Sequence, residues 1–88
     1  MNTHIDLITV TIKLFAIYQE VYQKSEINLT IPANSKAQDI LSIMSKEKPL
    51  LKSWINITKI AVNLEIVNPD YLLHNGDEIA LIPPVSGG

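Results

Sequence analysis

Cysteine is absent from all 88 residues. That excludes disulfides, thiolate-bound metals and a cysteine nucleophile, and it fits a cytoplasmic protein. Arginine is absent too. The seven basic residues are lysines scattered along the chain, and the net charge is −2. No basic stripe is available to track a phosphate backbone, so nucleic acid is not an expected partner. Met1 to Leu7 has neither a basic n-region nor an apolar h-region, so no secretory signal is expected. No apolar run reaches the length of a membrane span, so no membrane is expected either. The sequons at Asn28 and Asn56 then read as chance.

Charged residues are sparse, at 18% against the ~25% usual in globular proteins. Hydrophobic residues make up 47%. A single small domain buries only part of its surface. The balance therefore points to a greasy core, or to a face that meets another protein. Histidine is limited to His4 and His74, neither spaced for a metal, and no metal site is expected. G-x-S-x-G, P-loop and G-x-G-x-x-G motifs are all missing. Asp77 and Glu78 are neighbours on a strand, so they point to opposite faces and cannot flank one substrate. The folded part of the chain offers no self-contained active site.

What is present is alternation. Ile8, Val10, Ile12 and Leu14 share one parity, which predicts a half-buried strand. Phe15 falls on its polar face. Ala16 to Lys24 allows a short helical turn through Ile17 and Val21. Ile27, Leu29 and Ile31 predict a second strand, closed by Pro32 and paired with the first as a hairpin. Ala37, Ile40, Leu41 and Met44 follow helical spacing over Ser35 to Lys48. Ser35 is expected as its cap, with Gln38 completing a capping box. Trp54 lies in a loop or irregular turn over Leu50 to Asn56 and reads as a packing residue. Lys59 to Val67 predicts strand, interrupted by a turn or bulge near Asn63. Asn68-Pro69-Asp70 and His74 to Asp77 are turn signals, with Gly76 free to take positive φ. Glu78 to Ile82 is the last strand, Ile79 and Leu81 inward, Ala80 and Ile82 outward. One helix on a mixed sheet of this order is an α+β domain of β-grasp type. It is expected over residues 8–82, after a disordered extension at 1–7 and before a flexible C-terminal tail at 83–88.

The tail reads PPVSGG. Pro83 and Pro84 lack N–H donors and steer the chain off the sheet on a stiff, extended path. From Pro83 to Gly88 it reaches roughly 20 Å, enough to enter another protein's pocket. Gly87 and Gly88 have no side chains to block a narrow channel. A carboxylate at Gly88 is a chemical handle: adenylation by ATP would activate it, and a sulfur donor would convert it to a nucleophilic thiocarboxylate. A frayed terminus without a role is the other reading.

The ending GDEIALIPPVSGG, with IKLFA at Ile12 to Ala16 and AVN at Ala61 to Asn63, resembles the ubiquitin-like sulfur carriers of the MoaD/ThiS family. Within that family it is similar to the small, MoaD-type subunits of molybdopterin synthase. The resemblance implies that an E1-like adenylyltransferase activates Gly88, consuming ATP, and that a sulfurtransferase or persulfide donor supplies sulfur. The thiocarboxylated tail would then enter a large catalytic subunit and donate sulfur to cyclic pyranopterin monophosphate, within a heterotetramer. It implies no stably bound cofactor, and no catalysis by this subunit alone. Phe15, Ile66 and Ile82 would face the large subunit. Pro83, Pro84, Val85, Ser86 and Gly87 would guide the tail inward. Two alternatives stand beside this reading: a carrier for thiamine or tRNA thiolation, and a non-catalytic ubiquitin-like interaction module.

Overall fold

Strand alternation and one amphipathic helix lead directly to the architecture. The computed structural model describes residues 6–84. Five strands form one sheet in the order β2-β1-β5-β3-β4: β1 (Leu7–Leu14), β2 (Glu26–Pro32), β3 (Lys59–Val62), β4 (Glu65–Val67) and β5 (Glu78–Ile82). The central pair β1·β5 is parallel and the other pairs are antiparallel. Helix α1 (Ile17–Tyr22) lies in the β1–β2 connection, and α2 (Ala37–Glu47) follows β2. Two 3-10 turns, Pro49–Ser53 and Ile55–Ile57, carry the chain from α2 to β3.

The inward residues form one core. Val10, Ile12 and Leu14 of β1 join Ile79 and Leu81 of β5, with Ile40, Leu41 and Met44 of α2 in the same buried cluster. Tyr18 of α1 is fully buried. Its hydroxyl lies 2.6 Å from Thr58 Oγ1. Thr58 spends its only proton on the Trp54 carbonyl, at 2.7 Å. The phenol is therefore the donor to Thr58, and this relay ties α1 to the turns before β3.

Three expectations are corrected. First, β1 begins at Leu7, which pairs with Pro32, while Asp6 O accepts from Ala33 N–H. These two residues lie in the stretch expected to be disordered; residues 1–5 lie outside the described range. Second, the α2 cap is Lys36, not Ser35. The Asp39 carboxylate accepts from Lys36 N–H at 2.8 Å, whereas Ser35 Oγ turns back to Pro32 O. Counted from Lys36, Asp39 stands at the third helical position, whose side chain reaches back to the cap N–H, and Gln38 falls one residue short of it. Third, Asp77 is not an ordinary turn residue. It is buried, and its carboxylate accepts from His74 N–H at 2.8 Å and Asn63 Nδ2 at 3.0 Å. It clamps the β3–β4 turn to the start of β5.

Candidate docking site at the root of the C-terminal tail

The sheet's register determines which apolar side chains are left outside. Leu14 pairs with Leu81, so the residue that follows each, Phe15 just past β1 and Ile82 at the end of β5, comes out on the side away from the core. Phe15 is 49% exposed and Ile82 38%. Ile82 ends β5 opposite Lys59. Pro83 and Pro84 follow outside the sheet, Pro83 buried and Pro84 exposed. Neither can donate to a ladder, so pairing stops where the prolines begin.

Phe15, Ile82, Pro83 and Pro84 line one open groove of ≈ 440 Å³ together with Ala16, Ile17, Glu20 and Trp54. Glu20 is the only charged side chain in that lining. Four of the expected contact residues are thus brought together. Trp54 was read from the sequence as packing alone; it does pack on the core, but, only partly buried, it also forms part of the groove wall. A lone tryptophan in an aperiodic segment carries no signal of which neighbours it meets. Ala16 and Glu20 carried no signal either.

Ile66 takes a separate place. The β3–β4 connection is a two-residue turn, Asn63 and Leu64, both at positive φ (49° and 75°). That tight turn resets the parity, and Ile66 emerges 60% exposed opposite Ala61. Ala61 in turn lies opposite Ala80, and Ala80 opposite Lys13. Ile66 therefore shares the outer sheet face with Phe15 and Ile82 across a floor of two alanines, but it does not line the groove. It borders a smaller cavity with Thr58, Lys59 and Pro69.

The backbone entering the groove is under strain. Ala16 has φ 52° and ψ −123°, a conformation that a non-glycine residue holds at a cost of about 1–3 kcal/mol. On the far side of α1, Tyr22 donates to Glu47 Oε1 at 2.6 Å. Burial first, and then the hydrogen bond and charge of Glu47, push the Tyr22 phenol well above its ordinary range. Burial likewise raises Tyr18. Both phenols stay protonated and serve as struts, not as acid–base groups. The remaining site residues, Val85, Ser86, Gly87 and Gly88, lie outside the described residues.

A mixed five-stranded sheet holding one main helix, with apolar surface gathered where the last strand ends, defines a ubiquitin-like β-grasp protein. The chain belongs to the ThiS family, whose sequence model matches residues 12–88. It is 35% identical over 80 residues to the molybdopterin synthase sulfur carrier subunit of Dictyostelium discoideum, covering 88% of this chain and 93% of that one. Among solved structures, SAMP1 of Haloferax volcanii matches with a TM-score of 0.76 at 27% identity, covering 91% of this chain and 99% of that one. A chain from the complex of subunits 1 and 2 of molybdopterin-converting factor from Helicobacter pylori is 32% identical, with a TM-score of 0.61, covering 92% and 100%.

Proposed function

We propose that this chain is the sulfur-carrier subunit of a molybdopterin synthase. One observation carries the reading: the apolar residues Phe15, Ile82 and Pro84, all exposed, and the buried Pro83 converge at the root of a tail ending in Gly87 and Gly88. A carrier needs that pairing of a docking surface with a slender reactive arm. Curated relatives named as molybdopterin synthase sulfur carriers, matched along nearly their whole length, favour this carrier over one for thiamine or tRNA thiolation.

The chemistry sits on the α-carboxylate of Gly88. Its oxygen attacks the α-phosphorus of ATP in an E1-like adenylyltransferase, and pyrophosphate leaves. A persulfide sulfur from the sulfurtransferase then attacks the acyl carbon, and AMP leaves. A thiol cleaves the resulting acyl disulfide, freeing the thiocarboxylate and taking the donor sulfur into a new disulfide. The thiocarboxylate enters the large catalytic subunit, where its sulfur displaces an oxygen substituent from a side-chain carbon of cyclic pyranopterin monophosphate; a carbon–sulfur bond forms, a carbon–oxygen bond breaks, and the departing oxygen takes up a proton. Water then cleaves the acyl–sulfur bond and restores the carboxylate. This subunit supplies the nucleophile and its delivery; ATP is consumed in the activating enzyme, and no cofactor stays bound.

The test is deletion of Gly88. The shortened chain should keep its fold and its binding to the large subunit, yet support no molybdopterin formation in a reconstituted synthase. Molybdopterin formed at the full-length rate would overturn the proposal.

A further inference from the structure

Among the described strands, β2 pairs with β1 and stands at the edge of the sheet. Which of its main-chain groups face outward follows from the register. Leu14 N–H donates to Ser25 O and Ala33 N–H to Asp6 O, each at 2.9 Å. Both bonds continue the β1·β2 register. Odd-numbered residues of β2 therefore turn their N–H and C=O to β1, and even-numbered ones turn theirs away. Pro32 has no N–H, and its carbonyl already accepts from Ser35 N–H. Among the described residues, Glu26, Asn28 and Thr30 are left with unpaired main-chain donors and acceptors along the edge. Their side chains do not fold over it, because Lys13, Thr11 and Thr9 of β1 hold them on the outer face. Within β2 there is no lysine and no bulge, the devices that discourage a further strand. An open groove of ≈ 650 Å³ runs beside this edge, lined in part by Ile27, Leu29, Tyr22, Glu47 and Lys48. Ile27 and Leu29 pack against the core but are only partly buried.

We propose that β2 pairs antiparallel with β2 of a second copy of this chain, about a two-fold axis at Asn28. The strand is complementary to itself in that register. Glu26 lies opposite Thr30 of the second copy, and Asn28 opposite Asn28. Each N–H left unpaired on one edge then meets a C=O left unpaired on the other. On the helix side, Ile27 stands opposite Leu29 of the second copy, and this apolar pair completes the burial of both residues. No like charges are opposed, because Glu26 faces a threonine. A register moved two residues toward Pro32 would set Glu26 opposite a residue with no donor. The contact is one strand pair with apolar flanks, so association is weak and depends on concentration. β1 separates β2 from β5, so the pairing leaves the root of the tail open, and the dimer presents two tails.

The full-length chain is followed by sedimentation velocity and amide hydrogen exchange from micromolar to millimolar concentration. The average mass should rise toward that of a dimer. The N–H groups of Asn28 and Thr30 should gain protection with concentration, while those of Ile27 and Leu29 stay protected throughout. Asn28→Asp keeps the acceptor for Thr11 Oγ1 but sets two carboxylates across the axis. It should weaken self-association about twofold to fivefold. Asn28→Lys should weaken it similarly, and an equimolar mixture of the two variants should associate at least as tightly as wild type. A chain that stays monomeric at millimolar concentration would overturn the inference. So would a dimer that leaves the Asn28 and Thr30 amides unprotected, or a mixture no tighter than its components. Protection of those amides only when the large subunit or another protein is added would give the edge to a different strand and overturn it equally. The wild-type exchange measurement decides the matter even if a variant fails to fold. None of these outcomes bears on thiocarboxylation of Gly88, so the carrier reading stands or falls separately.

Discussion

Phe15 leaves about half its surface in water one residue after Leu14, which is almost completely buried. Truncating or charging Phe15 therefore opens no core cavity, and its effect should fall on association. Phe15→Glu is expected to leave the unfolding midpoint close to wild type while weakening large-subunit binding by about tenfold or more, the range of an aromatic anchor. Unchanged affinity by calorimetry would remove Phe15 from the interface. Its exposure was legible from parity alone, because a strand's two faces are fixed by odd and even numbering. Ile82 was legible for the same reason. Ile66 depended on how the chain turned at Asn63 and Leu64, which alternation does not encode. Trp54 was beyond reach, since its groove neighbours come from the β1–α1 connection, α1, the end of β5 and the tail root.

At the scale of elements, helix and strand cores follow from apolar spacing, whereas their ends depend on single hydrogen bonds. Ser35 and Lys36 are both plausible starts for α2, and only the reach of Asp39 decides between them. The β3–β4 hairpin shows the reverse case: Leu64 sits at positive φ, 91% exposed, where asparagine-glycine turns place glycine. Leu64→Gly should stabilise the fold by about 1 kcal/mol, read from denaturant midpoints at constant slope; a loss of stability would contradict the turn geometry. The hydrogen bond from Tyr22 to Glu47 joins α1 to the last turn of α2. Tyr22→Phe should cost about 1 kcal/mol at neutral pH. The folded-state phenol is raised, so its contribution is present below the ordinary tyrosine value of ~10 and is lost as pH rises beyond it. Thermal midpoints followed through that alkaline window should fall more steeply for the wild-type chain than for Tyr22→Phe. Parallel curves would contradict the strut.

At the scale of the whole molecule, the sheet and helix act as a mount for a short arm. β1 and β5 lie side by side at the centre of the sheet, so the tail leaves from the best-supported strand, and Phe15 stands beside its exit. The order of strands along the chain was legible; the parallel pairing of β1 with β5 was not, because no local pattern joins residues 67 positions apart. Incubating the full-length chain with ATP, an E1-like adenylyltransferase and a persulfide donor, followed by intact mass spectrometry, tests the central claim most directly. The account expects a mass gain equal to sulfur replacing oxygen, localised to Gly88 and abolished without ATP. A chain that keeps its original mass under conditions that thiocarboxylate a known sulfur carrier would contradict it.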